Sequence, residues 1–334
     1  MKTIIIFQGG GALGAFSAGV WGALAPRLRE AGARLAGVAG ASIGGILAGV
    51  IARATARGEA DWGAAALERL WRERLATPSL PFVPATAPFT PGIAHADPEA
   101  WNGLLTGLLA GTRSLYRAAP ERLNPWAGMQ RIDWPLFDRA AMYRTLTELI
   151  GEYDTRDAPA RPWLAVGAVD VLDGELRVFD SDRAPVTPRH LAACAALPLL
   201  FDPVELDGRL YWDGEMCSTS LVPPVMDRAR EAGRVRRDED VLLVTVEPIS
   251  PKAAVLPRTS VEIGHRAIEL LLMRKLSRAD ARALGASRHL SITREPLPQD
   301  LVSGHFDYSP SRIDTLLRQG REAGEHAWEA AMAS

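Results

Sequence analysis

Lysine is nearly missing from this sequence: it occurs only at positions 2, 252 and 275, and arginine carries the rest of the positive charge. Basic and acidic residues almost cancel, 38 against 40, for a formal net charge of −2. The one dense charge run, Arg234 to Asp240, mixes both signs. A nucleic-acid binder needs a basic face, so no nucleic-acid partner is expected. Cysteine is equally scarce. Cys194 and Cys217 supply neither a disulfide framework nor a metal-ligand cluster, and they suit a reducing, cytoplasmic location. No apolar run is long. Only Ile4 to Phe7 precede the first glycines, too few for the core of a secretory signal. The 18 uncharged residues from Leu35 to Ala52 hold five glycines and a serine, which suits strand, tight turn and buried helix better than a membrane span. Repeats and long flexible linkers are absent, so one domain over 1–334 is expected.

What is present is a hydrophobic content of 47%, enough for a large core. Thr3 to Phe7 reads as a buried strand, Ala15 to Ala31 as a helix, and GGGALG lies between them. A second unit follows at once: an apolar run ending at Val38, then GASIGG, then a helix from about Ile46 to Ala56. Further helices are expected over 61–75, 136–153, 188–196, 261–284 and 311–331. Further strands are expected over 163–170, 175–179, 210–212, 241–246 and 289–293. Strands alternating with helices indicate an α/β fold, a sheet covered on both faces. Between Thr77 and Pro125 eight prolines and several aromatics surround a short helix near Trp101 to Ala110. This insertion, extending to about 130, has the character of a lid or binding loop.

Gly40-Ala41-Ser42-Ile43-Gly44 matches G-x-S-x-G between an expected strand and an expected helix, where the pattern has physical meaning. Flanking glycines remove the Cβ atoms that would clash in a sharp turn, and Ser42 is left at a helix N-terminus as a candidate nucleophile. Such a serine needs oxyanion donors and a base. The opening glycines can aim several N–H groups at one point, each worth roughly 3 kcal/mol of barrier. Both loops stand at the carboxyl ends of neighbouring strands and border one crevice.

Gly9, Gly11 and Gly14 also fit the G-x-G-x-x-G of a dinucleotide site. That reading requires an acidic residue at the end of the second strand, and Arg34 to Ala39 contains none. For the base, the histidines at 265, 289, 305 and 326 follow Ser42 and Asp213 in the order of an α/β-hydrolase triad, and His305, in a Gly, Asp and Ser-rich loop, is the best of them. His265 and His326 fall on helices and read as ordinary surface or core residues. His190 begins a helix and His95 lies in the insertion. Asp213-Gly214, at the end of a strand, offers the alternative of a carboxylate that takes the serine proton directly.

Taken together, GGGALG, GASIG and WDGE resemble the patatin-like phospholipase family, and the similarity runs from about Lys2 to Leu221. The resemblance implies a three-layer α/β/α sandwich with a mostly parallel central sheet. It also implies a serine acyl hydrolase with a Ser42–Asp213 dyad and an acyl-enzyme intermediate. Gly9, Gly10 and Gly11 would form the oxyanion hole, supported by Gly14, Gly40, Gly44 and Gly214. No cofactor and no metal is required, and the expected partner is a lipid or ester substrate, with peripheral contact to a membrane. Leu13 stands where many members carry Arg or Lys, and Glu215 where Gly or Ala is frequent. Glu215 would either raise the pKa of Asp213 or point to solvent.

Overall fold

The computed structural model describes residues 1–82, 98–119, 136–216, 220–272 and 278–333. Its frame is an eight-stranded sheet. In chain order the sheet contains β1 (Lys2–Phe7), β2 (Arg34–Gly40), β5 (Trp163–Asp170), β6 (Leu176–Asp180), β7 (Val204–Leu206), β8 (Arg209–Asp213), β9 (Val241–Glu247) and β10 (Arg288–Thr293); β3 (Arg117–Ala118) and β4 (Phe137–Asp138) pair separately. The order across the sheet is β10-β9-β1-β2-β5-β8-β7, with β6 pairing β5. From β10 to β5 the pairings are parallel; β6, β7 and β8 add antiparallel ones.

The sequence of each central strand divides between two cores, as the two-residue side-chain period demands. Ile5 and Phe7 of β1 face one core with Leu242, Val244 and Val246 of β9. Ile4 and Ile6 face the other with Val241 and Leu243. The first core is closed by α1 (Gly14–Glu30), α2 (Ile43–Ala56), α3 (Ala64–Arg69) and the long α11 (Pro310–Ala333). The second is closed by α7 (Val222–Glu231) and α9 (Arg278–Leu284). The result is a three-layer α/β/α sandwich. The short helices α4 (Pro98–Leu109), α5 (Ala140–Leu149) and α6 (Pro188–Cys194), and later α8 (Ser260–Leu272) and α10 (Asp300–Ser303), complete the α-helices of the described residues.

Several expectations are corrected. The helix expected over 136–153 is only α5, because Phe137 and Asp138 pair with Ala118 and Arg117 instead. The helix expected over 61–75 turns into a π-helix at Leu70–Leu75. The single helix expected over 261–284 is described as α8 and α9, with 273–277 outside the described residues. Strand β7 and helix α7 were not anticipated: β7 is three residues long, and two prolines open α7. Of the proline-rich insertion, α4 forms as expected, and its Ala100 and Leu104 pack against Val302. Residues 83–97, including His95, and 120–135 lie outside the described residues, and the lid reading lies there with them.

Candidate active site

Ser42 is the first residue beyond β2 whose backbone leaves the ordinary regions, at φ 54° and ψ −137° immediately before α2. For a residue with a Cβ this costs about 1–3 kcal/mol and persists only where the surroundings enforce it. Here they do. The Ser42 N–H donates to the Cys194 carbonyl at 2.8 Å, and the Cys194 thiol faces the Ser42 carbonyl at 3.7 Å. A methyl on Gly40 would stand 2.4 Å from Gly44, and one on Gly44 would stand 2.3 Å from the Phe7 carbonyl oxygen. The turn is therefore clamped between β1 and α6. Burial and the nearby Asp213 carboxylate push the Cys194 thiol well up, so it stays a neutral packing group.

Strand register brings Asp213 to the same edge. Gly40 of β2 is level with Val166 of β5, and Ala168, two residues further along β5, is level with Asp213 of β8. The carboxylate is fully buried. Its Oδ1 accepts the Glu215 N–H at 2.8 Å, and the Asp213 N–H donates to the Ala196 carbonyl at 2.9 Å. A Cβ on Gly214 would lie 2.3 Å from the Gly167 carbonyl and 3.0 Å from the Ala41 Cβ, which packs this turn against the serine turn.

The glycine loop closes the third side. Gly11 has φ 56°, and a side chain there would meet the His305 carbonyl oxygen at 2.4 Å. Gly14 opens α1 beside Ile43. A Cβ on Gly9 would fall 2.5 Å from the Ser42 Cβ, so loop and serine are in contact. The Gly9 N–H, expected to serve an oxyanion, donates instead to Glu215 Oε1 at 2.9 Å. Glu215 is correspondingly 6% exposed and does not point to solvent. Gly10 and Gly11 are the loop residues that open onto the cavity.

That cavity measures ≈ 320 Å³, within the usual size range of small-molecule sites, and is lined by Gly10, Gly11, Ser42, Asp213, Glu215 and His305 on its polar side. Ile46, Leu115, Phe137, Met142 and Phe201 make an apolar wall, joined by Tyr116 and Tyr308, whose phenols burial pushes above their ordinary range. Leu199 and Ile268, 76% and 52% exposed, also border it.

Among the histidines, His305 reaches the site, but its Nδ1 bonds the Gly10 carbonyl oxygen at 2.9 Å. A triad base is held there by a carboxylate. His190 caps α6 through Thr187, His289 bonds Thr245, and His326 is exposed. His265, read from sequence as an ordinary helix residue, stands with its ring 5.3 Å from that of His305, and one ligand atom from each lies within 4.8 Å of one on Glu269. The Glu215 carboxylate, buried against the glycine loop, also opposes a pyrophosphate at that loop.

The sequence profile of the family described as patatin-like phospholipase matches residues 5–226. The chain belongs to this family. Its patatin-like region thus runs from within β1 into α7 and contains all three glycine-bearing motifs. Among solved structures it is similar to VipD from Legionella pneumophila, at 14% identity and a TM-score of 0.44, over 98% of this chain and 67% of that one. It is also similar to the ExoU–SpcU complex of the type III secretion system of Pseudomonas aeruginosa, at 15% identity and a TM-score of 0.36, over 100% of this chain and 52% of that one. The chain thus spans about half the length of the ExoU chain it matches. No curated protein matches it. Among the described residues no helix is long and apolar enough to cross a membrane.

Proposed function

We propose that this patatin-like protein hydrolyses carboxylic esters of lipids with Ser42 as nucleophile and Asp213 as its base. The observation that carries the reading is the opening of a strained serine and a fully buried carboxylate into one apolar cavity beside Gly10 and Gly11. The Asp213 carboxylate accepts the Ser42 proton as Oγ adds to the ester carbonyl. The N–H groups of Gly10 and Gly11 and the start of α1 stabilise the oxyanion. Collapse breaks the ester C–O bond, and the departing alkoxide takes the proton from Asp213. Water then loses a proton to Asp213 and adds to the acyl-enzyme; Ser42 Oγ leaves with that proton, and a carboxylic acid is released.

The acyl chain lies along Ile46, Leu115, Phe137 and Met142, and the exposed Leu199 and Ile268 meet the lipid surface from which it is drawn. Hydrolysis of a panel of p-nitrophenyl esters, diacyl phospholipids and lysophospholipids tests the reading. Turnover that is lost in Ser42→Ala is expected; equal turnover in that variant overturns it.

A further inference from the structure

We propose that His265, Glu269 and His305 form a binding site for a zinc-like divalent transition metal beside the glycine loop. One donor atom from each lies within 4.8 Å of the others. Donors on a four-coordinate zinc stand about 2.0–2.2 Å from the ion, hence roughly 3.3 Å apart, so a small contraction of side chains completes the set.

The three residues are built for this and poorly explained without it. His265 and Glu269 are one turn apart on α8 and share a face. Both ring nitrogens of His265 and Nε2 of His305 are buried with no hydrogen-bond partner, and His305 is 8% exposed. Buried polar atoms are nearly always satisfied, so a lone-pair nitrogen from each ring, set near a Glu269 oxygen, calls for a shared acceptor of lone pairs. The His305 Nδ1 donates to the Gly10 carbonyl, which fixes the tautomer and leaves the Nε2 lone pair for a metal, the arrangement common to metal-bound histidines. Gly304 makes room: a Cβ there would stand 2.0 Å from His265 Nε2.

Two imidazoles and one carboxylate are a zinc-type donor set and a poor one for calcium or magnesium, which prefer oxygen alone. Arg266 faces Glu269 at 3.1 Å and orients its carboxylate while competing with the ion. Since His305 also accepts the Ala12 N–H through its carbonyl at 2.9 Å, a metal here ties α8 to the glycine loop at two points. The site stands whether or not Ser42 is a nucleophile.

The test is calorimetric titration of the chelator-treated full chain with zinc chloride, paired with cobalt(II) substitution read as visible absorption. The expected result is one equivalent bound, a raised melting temperature, and affinity weakened more than about 10-fold in both His265→Ala and Glu269→Gln. Their folding is checked by circular dichroism; they sit on a helix flanked by the exposed Ile263, Ile268 and Leu270. No heat and no cobalt band, or unchanged affinity in both folded variants, overturns the proposal.

Discussion

The Gly9 N–H donates to Glu215 Oε1 at 2.9 Å across 206 residues of sequence. This bond joins the loop after β1 to the turn after β8, so the two arms around Ser42 hold each other in place. Removing the carboxylate leaves a buried donor unpaired. Glu215→Ala is therefore expected to cost about 1–3 kcal/mol of stability, while Glu215→Gln, which keeps an acceptor oxygen, retains most of it. Urea unfolding of the three proteins measures this; equal midpoints contradict it.

The carboxylate two residues earlier has a different role. Asp213→Asn preserves shape and the oxygen facing the Glu215 N–H, yet no longer takes a proton. Ester turnover is expected to fall about 10²–10⁴-fold, the range of general-base catalysis, with little change in KM. Steady-state kinetics on a soluble ester decide it; a loss under about tenfold removes Asp213 from the chemistry.

Backbone crowding at the serine turn predicts a steep penalty for one methyl. Gly44→Ala places a Cβ 2.3 Å from the Phe7 carbonyl, where neither strand nor helix can yield. A destabilisation of about 1–3 kcal/mol is expected. Gly264→Ala, with nothing within 4 Å of its Cβ, is the neutral or slightly stabilising control. Thermal melts compare them.

Acid sensitivity follows from His190, whose Nδ1 accepts the Thr187 N–H at 3.0 Å at the start of α6, the helix that supports Ser42. Burial lowers its pKa below the ordinary 6.5. Between that lowered value and 6.5 the unfolded chain binds more protons than the folded one, so stability declines as pH falls through this window. His190→Gln keeps the cap without titrating and is expected to flatten the decline. Urea midpoints at about pH 7.5 and about pH 5.5 report the difference.

The sheet frame was readable because Ile4 to Phe7, Trp163 to Asp170 and Val241 to Val246 are strands by composition alone, and because glycine loops sit where α/β sheets bind ligands. Ser42 and Asp213 were readable through local motifs. Glu215 was not: its role depends on an amide 206 residues away, and no spacing rule encodes that. The meeting of His265 with His305 was not readable for the same reason, since only the fold sets α8 against the loop holding His305. The hairpin of β7 and β8 was half visible, in that Asp207-Gly208 marked its turn, at φ 50° and 76°, while the three residues of β7 were too few to show a period.

The most direct test of the central claim is intact-protein mass spectrometry after treatment with a fluorophosphonate. The account predicts one adduct on wild type, mapped to Ser42 by peptide digestion, and none on Ser42→Ala of equal helix content. An adduct on another residue, or a folded wild type that takes none, would contradict it.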